Sequence, residues 1–301
     1  MSLGINNIPP KICTYSCVYC QIGRTLKLST HRQAFYTPEE IYRSVEERVR
    51  EIREKGGKID YLSFVPDGEP TLDLNLGKEI HLLRKLGIKI AVITNASLLW
   101  LPQVREDLSL ADWVCVKVDG VSEEVFKKVD RPHGRLELGK ILEGIKTFSR
   151  EFKGFLVSET MLIRGINDSP GEAEKIAQFL QGVKPRISYL MIPTRPPAEA
   201  WAEPASEEAL STAYLIFKEH GLGPELLTGA ESGEFGFTGK AEEDILSTAS
   251  VHPLRRDVVE DILKKAGKGW DLVEEMLEKG LLKRIEYRGE EFFLRTLGRE
   301  N

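Results

Sequence analysis

Three of the four cysteines in this chain fall within eight residues, in the segment KICTYSCVYCQIG. Cys13, Cys17 and Cys20 have the spacing C-x-x-x-C-x-x-C, and the fourth cysteine, Cys115, lies far away in DWVCVKV. Thiolates at short, fixed intervals are typical of zinc and iron–sulfur sites. Four cysteines close an iron–sulfur cluster, whereas three leave one iron open for another ligand. A cluster held by this segment would therefore have one open iron, and a zinc site completed by His31 is the alternative.

Composition indicates a soluble globular protein. The 301 residues are 41% hydrophobic and 30% charged, with a net charge of −5. No apolar run approaches the roughly 20 residues of a membrane span, so we expect a cytoplasmic protein that does not contact membranes. Thiols stay reduced in the cytoplasm, which favours metal binding over disulfides. The excess of acidic over basic residues argues against a surface whose main role is to bind the phosphate backbone of nucleic acids. Cys115, inside an apolar strand, is interpreted as a small buried hydrophobic residue.

Short β-branched and aromatic runs alternate with amphipathic helical segments through the first two thirds of the chain. The helical segment TPEEIYRSVEERVREI has Thr37 as its N-cap and Glu40 at the capping-box position, and NDSPGEAEKIAQFL has Asp168 or Ser169 as its cap. This alternation predicts an α/β fold with a parallel sheet, either doubly wound or a full or partial (β/α) barrel. The strand-like runs are SLGIN, KIDYLSFV, IKIAVITN, DWVCVKV, GFLVSETMLI and RISYLMI.

The pattern changes after about residue 240. Three helical segments are followed by KRIEYRGEEFFLR, which reads as two strands joined at Arg288-Gly289. We therefore expect a first domain over residues 1–235 and a small winged-helix domain over 240–301. Its third helix, GWDLVEEMLEKG, is acidic and would be repelled by phosphates, so DNA binding is not expected. A docking or lid element is the favoured role.

The cysteine spacing, with Tyr19 just before the last cysteine, resembles the signature of the radical S-adenosylmethionine (SAM) superfamily. DGEPTL, after the strand KIDYLSFV, is similar to the motif with which that superfamily receives the amino group of SAM. More narrowly, SLGIN, VDRPH, MLIRGINDS and IPTRPPAEAW together resemble the wyosine-synthetase-like group. The resemblance covers nearly the whole chain. Members usually have a few residues before SLGIN, so we expect either a short first strand or a misassigned start codon here.

The resemblance implies a partial (β/α)6 TIM-like barrel that holds one 4Fe-4S cluster and SAM. Reductive cleavage of SAM would give a 5′-deoxyadenosyl radical that abstracts hydrogen from a substrate, as an oxidoreductase or a transferase does. An external reductant, ferredoxin or flavodoxin, is also implied. The metal ligands would be Cys13, Cys17 and Cys20. Residues implied to bind SAM are Tyr19, Gly68, Glu69, Pro70, Thr94, Asn95, Ser97, Lys117 and Asp119. Residues expected on the substrate side are His133, Glu159, Arg164, Thr194 and Arg195.

No residue identifies the substrate, and two other functions remain open. One is tRNA modification of the wyosine type. True wyosine synthases carry a second cluster on three further cysteines, whereas this chain has one cysteine left. The other is a metal-binding transcription regulator that uses the winged helix.

Overall fold

The structure is a computed structural model that describes residues 1–65, 67–228, 237–251 and 253–296. Within these ranges the strands are β1 (Ser2–Ile5), β2 (Ile12–Cys13), β3 (Lys27–Leu28), β4 (Tyr61–Phe64), β5 (Lys89–Thr94), β6 (Trp113–Lys117), β7 (Phe155–Met161), β8 (Ile187–Met191), β9 (Pro224–Leu227), β10 (Leu254–Arg255), β11 (Leu282–Tyr287) and β12 (Glu290–Arg295). The α-helices are α1 (Pro38–Glu54), α2 (Leu76–Leu83), α3 (Pro102–Leu108), α4 (Glu123–Val129), α5 (Leu138–Glu151), α6 (Pro170–Val183), α7 (Glu207–Glu219), α8 (Ala241–Val251), α9 (Arg256–Ala266) and α10 (Asp271–Glu278). None of these helices is long and apolar enough to cross a membrane.

The central sheet is parallel and follows the order β1-β4-β5-β6-β7-β8-β9. Helices connect these strands, as parallel pairing requires. The prediction of an α/β fold with a parallel sheet is therefore confirmed. The strands stand side by side in chain order, without the reversal that marks a doubly wound sheet. This order agrees with a partial barrel of the TIM type.

Among the described residues this sheet has seven strands, one more than the six expected. The additional strand is β9, which pairs with β8 from Ser188↔Pro224 to Met191↔Leu227 at the edge of the sheet. Its sequence, PELL, begins with proline and has three exposed residues, so it lacks the pattern of a buried strand. Proline is tolerated here because the strand lies at an edge.

The predicted helix starts agree with the structure. In α1, Thr37 and Glu40 form a reciprocal capping box with Pro38 in the first turn. In α6, Ser169 rather than Asp168 is the N-cap, and its hydroxyl accepts a hydrogen bond from the amide of Glu172. Asp168 instead accepts from the amide of Gly165. Such caps satisfy the free amides of the first turn and fix where each crossover helix begins.

Residues 241–296, here called the C-terminal unit, contain three helices, the hairpin β11–β12 and the short strand β10. β10 pairs with β12, which gives a three-stranded antiparallel sheet in the order β10-β12-β11. This unit has a hydrophobic core of its own that includes Ile245, Val273 and Phe293. The expected three helices and hairpin are thus present, and β10 was not foreseen. The boundary expected between residues 235 and 240 falls partly outside the described residues, as does the end of the chain.

Candidate active site

One large cavity, of about 750 Å³, opens at the carboxyl ends of the parallel strands. We call it the main cavity. Its walls come from the segment of residues 11–25, from the ends of β4, β5, β6 and β8, and from the C-terminal unit. Barrel enzymes gather their ligands at this end of the strands. The volume lies within the range of about 300–1,000 Å³ that is usual for small-molecule sites.

All three clustered cysteines, Cys13, Cys17 and Cys20, line the main cavity. Burial is the main reason why the pKa of Cys13 is raised to about 12, and it also raises the pKa values of Cys17 and Cys20. Without a metal these thiols are neutral, so cation binding must release their protons. Three soft sulfur ligands on the wall of one cavity fit an iron–sulfur cluster with three protein ligands.

The other residues considered as ligands lie elsewhere. His31 is exposed and does not line the main cavity. Cys115 is fully buried in β6, as expected of a small hydrophobic residue. Among the described residues, no three His, Cys, Asp or Glu side chains converge closely enough to hold a single metal ion. That arrangement differs from the closed four-ligand shell of a structural zinc site.

Main-chain hydrogen bonds join the glycine-acid-proline motif to the cysteine segment. The amide of Lys11 donates to the carbonyl of Asp67 at 2.6 Å, and the amide of Glu69 donates to the carbonyl of Ile12 at 3.2 Å. Gly68 lies between these two bonds and lines the main cavity. The motif and Cys13 are therefore positioned by the same stretch of backbone.

The carboxylate of Glu69 is buried at the cavity wall and held by four hydrogen bonds. Its Oε1 accepts from the Thr71 amide (3.0 Å), the Thr71 hydroxyl (2.5 Å) and the Thr94 hydroxyl (2.6 Å). Its Oε2 accepts from the Asn95 amide at 2.8 Å. Burial raises the pKa of Glu69, although these bonds favour the charged form. A cationic ligand in the cavity would stabilise that charge further.

Thr14 is the residue that sequence reasoning missed in this part of the site. It is fully buried next to Cys13, and its hydroxyl accepts from Asn95 Nδ2 and meets the hydroxyl of Ser97, both at 2.7 Å. Asn95 Nδ2 also lies 3.6 Å from Cys13 Sγ. Threonine between two cysteine positions gives no distinctive signal in a sequence. Its role depends on contact with the end of β5, more than eighty positions away.

Lys117 is the cation at the end of β6. Its Nζ forms an ion pair with Glu159 at 3.1 Å and lies 5.5 Å from the centre of the Tyr19 ring. Burial lowers the pKa of Lys117, but the negative charges of Glu159 and Asp119 outweigh this, so the pKa is raised. The Tyr19 hydroxyl donates to Asp119, which also accepts from the amide of Met161. These bonds hold the aromatic ring of Tyr19 at the cavity wall.

The structure brings most of the residues expected at the site to the main cavity and leaves others away from it. Those that line it are Cys13, Cys17, Cys20, Tyr19, Gly68, Glu69, Thr94, Asn95, Lys117, Thr194 and Arg195. Pro70 begins a short 3-10 helix, and Ser97 and Asp119 are buried behind the wall, where they bond to Thr14 and Tyr19.

Three residues expected on the substrate side do not line the main cavity either. Glu159 pairs with Lys117 from behind, while His133 accepts a hydrogen bond from the amide of Arg135. Arg164 forms an exposed ion pair with Glu203 at 2.9 Å. Each of these three side chains is thus engaged by a neighbouring residue: Glu159 by the cavity-lining Lys117, and the other two by residues outside the cavity.

The C-terminal unit supplies a wall that sequence reasoning did not identify. Its contributors include Leu254, Arg255, Val258, Tyr287, Arg288, Glu290 and Phe292. Tyr287 also donates a hydrogen bond to the carbonyl of Pro193, which follows β8. One feature of the sequence could have indicated a role for this hairpin, namely the pair Arg288-Gly289. Arginine is unusual at the left-handed turn position that a two-residue hairpin requires.

The chain is similar in sequence to known proteins and similar in fold to solved structures. The chain is 44% identical over 299 residues to a UPF0026 protein of Methanocaldococcus jannaschii, a match that covers 98% of this chain and 92% of the relative. A solved radical SAM methyltransferase from Sphaerobacter thermophilus superposes with a TM-score of 0.55 at 17% identity, covering 75% of this chain and 65% of that one. TYW1 with a lysine-pyruvate adduct superposes with a TM-score of 0.54 at 17% identity, covering 70% and 72%. The two structures show a shared fold.

The match to a family model shows to which protein superfamily the chain belongs. The model of the radical SAM superfamily matches residues 7–180, which is more than half of the chain. The match includes the cysteine segment and the strand ends that carry Glu69, Asn95 and Lys117. It thus spans the part of the molecule in which the three thiols and the buried carboxylate face one cavity. The chain belongs to the radical SAM superfamily of enzymes.

Proposed function

We propose that this protein holds one 4Fe-4S cluster on Cys13, Cys17 and Cys20 and uses it to cleave SAM. When bound, the cluster supplies an electron that splits SAM into methionine and a 5′-deoxyadenosyl radical, which takes a hydrogen atom from the substrate. The observation that carries the proposal is that the three thiols and Glu69 line one cavity and are fixed by the same backbone segment.

The buried carboxylate of Glu69 would bind the amino group of SAM. Thr71, Thr94 and Asn95 hold it in one orientation, so little conformational entropy is lost on binding. Tyr19, fixed by Asp119, would pack near adenine, and Lys117 would lie beside it. In this proposal Gly68 and Asn95 contact SAM, while Pro70 and Ser97 support the segments that carry these contacts.

We also propose two domains, residues 1–235 and 240–301, the second of the winged-helix type. Support comes from its separate core and from the order of helix, strand, two helices and hairpin. Its helix α10 bears Asp271, Glu274, Glu275 and Glu278, which does not favour contact with phosphates. Because this unit lines the main cavity, it would help to exclude water from the reaction.

The electron would come from a separate protein, a ferredoxin or a flavodoxin. The cluster would have to be reduced before SAM can be cleaved, so an electron has to enter from outside the site. We propose that this partner docks on the cysteine segment, where Leu26 and Leu28 are exposed.

Anaerobic reconstitution tests the metal site directly. We expect about four irons and four sulfides per chain, and an electron paramagnetic resonance signal of the reduced cluster that changes when SAM is added. The change is expected because SAM would bind the open iron. About one zinc per chain with no sulfide would contradict the proposal.

A further inference from the structure

The hairpin β11–β12 lies against the mouth of the barrel and closes one side of the main cavity. Tyr287 and Arg288 at its tip, and Phe292 on β12, line the cavity, and the Tyr287 hydroxyl lies 3.4 Å from the carbonyl oxygen of Pro193. A second attachment joins α8 to α1, where Asp244 and Arg48 form an ion pair at 2.6 Å. The C-terminal unit is thus attached to the barrel at two places, one of them next to the hairpin tip.

Arg288 has an unusual backbone conformation for its residue type. Its φ is 53°, and Gly289 follows with a φ of 78°, as a two-residue hairpin turn requires. Asparagine or glycine adopts this left-handed conformation at lower cost than arginine. A residue that adopts this conformation at a cost motivates the hypothesis that Arg288 has a role beyond the turn itself.

Within the part of the chain that the structure describes, no carboxylate forms an ion pair with Arg288. Three other arginines of the C-terminal unit have carboxylate partners: Arg255 forms a two-point ion pair with Asp257 at 2.9 and 2.7 Å, Arg256 pairs with Glu260, and Arg284 with Glu291 at 3.6 Å. Among the described residues, Arg288 has no such partner, although it lines the main cavity. A guanidinium group in this setting is suited to two-point binding of a carboxylate or phosphate.

Apolar side chains make up much of the cavity wall on this side. Leu227 at the end of β9, together with Leu254, Val258 and Phe292, contributes there. A ligand that reaches Arg288 would therefore lie along an apolar surface. The cavity volume also limits such a ligand to a small molecule if SAM occupies the part nearest the cysteines.

We infer that the substrate is a small molecule with an apolar body and a carboxylate or phosphate group, and that Arg288 binds this group. The inference rests on the proposed function, because it places the substrate in the cavity that also holds SAM. Arg288 is then a residue that determines specificity, and the C-terminal unit is part of the active site.

Calorimetric titration of the full-length chain with two probes, malonate and inorganic pyrophosphate, tests the inference. We expect at least one probe to bind, and its affinity to fall at least about tenfold in Arg288→Asn. Asparagine tolerates the left-handed conformation, so this variant should keep or raise the melting temperature. Arg284→Ala, on the same hairpin but outside the cavity wall, is the matched control and should change the affinity less than about twofold.

The two probes also distinguish the possible sources of the negative charge. Tighter binding of malonate would assign a carboxylate substrate, and tighter binding of pyrophosphate a phosphate ester. The inference is overturned if the parent protein binds neither probe, if Arg288→Asn binds as the parent does, or if Arg284→Ala weakens binding equally. None of these measurements requires SAM cleavage. A protein that binds the probes but does not cleave SAM would therefore contradict the proposed function and leave the anion site of Arg288 intact.

Discussion

The backbone at Gly68 approaches Ile12 so closely that a β-carbon on Gly68 would lie 1.9 Å from the Ile12 carbonyl oxygen. Only glycine fits at this distance without movement of the backbone, which here includes the segment that carries Cys13. This contact joins the proposed SAM-binding motif to the proposed cluster-binding segment. Either element would be displaced if the other moved.

Gly68→Ala is therefore expected to reduce cluster loading. The added methyl group must push the cysteine segment away, at a cost of about 1–3 kcal/mol, and the three thiols would then be misplaced. Iron and sulfide content after reconstitution should fall to less than about half of the parent value. Gly139→Ala is the matched control, because a β-carbon there meets no atom within 4 Å. Equal iron content in Gly68→Ala and the parent would show that the contact has no role in cluster binding.

The cysteines make a second comparison possible. Cys17→Ala should abolish the brown colour of the reconstituted protein, because it removes one of the three proposed iron ligands. Cys115→Ala should leave the colour unchanged, since Cys115 is fully buried in β6 and does not line the main cavity. Absorption spectra of the two anaerobically reconstituted variants check this. Loss of colour in Cys115→Ala would mean that the wrong thiols have been assigned to the cluster.

Much of the site was predictable because its residues follow strands in the sequence. The apolar run of a buried parallel strand shows in the sequence where its carboxyl end lies. Thr94, Asn95 and Lys117 could therefore be predicted at the mouth of the barrel from the sequence, and all three line the main cavity. The spacing of the three cysteines predicted a shared metal site, and all three line the main cavity. Local pattern and strand order were sufficient in these cases.

The residues that could not be predicted depend on contacts between distant segments. Thr14 acts through Asn95 and Ser97, and Arg288 reaches the cavity only because the C-terminal unit lies against the loop after β8. Neither contact produces a periodic pattern in the sequence from which it could be predicted. His133 and Arg164 show the converse, since their positions after strands were suitable but neighbouring residues engage them elsewhere.

Glu69→Gln should weaken SAM binding while the cluster is retained. The substitution removes the negative charge that would meet the SAM ammonium group, and charge-assisted hydrogen bonds contribute about 1.5–3 kcal/mol. We expect the affinity measured by equilibrium dialysis to fall at least about tenfold. Glu203→Gln, which loses only the exposed ion pair with Arg164, should bind SAM as the parent does. Unchanged affinity in Glu69→Gln would remove Glu69 from the SAM site.

A buried carboxyl group outside the site should make stability depend on pH. Burial and the nearby Asp73 raise the pKa of Glu79 from 4.5 to about 9. Between these values the unfolded chain releases a proton that the folded chain keeps, so this group lowers stability as the pH rises from 4.5 to 9. In Glu79→Gln this loss is absent. The melting temperature of the variant relative to the parent should therefore increase by at least about 4 °C between pH 5.5 and 8.5. A constant or falling difference would show that Glu79 ionises normally in the folded protein.

Transfer RNA is not expected to bind. The net charge is −5, and the C-terminal unit forms one wall of the main cavity. Affinity for nucleic acid depends strongly on cationic contacts with phosphates, which are strongest at low salt. An electrophoretic shift assay with total tRNA at low salt should show no retardation. Clear retardation that weakens as salt is raised would favour an RNA substrate over a small anionic molecule.

Formation of 5′-deoxyadenosine tests the central claim most directly. The reconstituted protein, with its iron and sulfide content verified, is incubated anaerobically with dithionite and SAM, and the products are quantified by mass spectrometry. We expect 5′-deoxyadenosine and methionine in equal amounts from the parent protein and neither product above background from Cys17→Ala. Absence of 5′-deoxyadenosine from a parent protein with a full, reducible cluster would contradict the account.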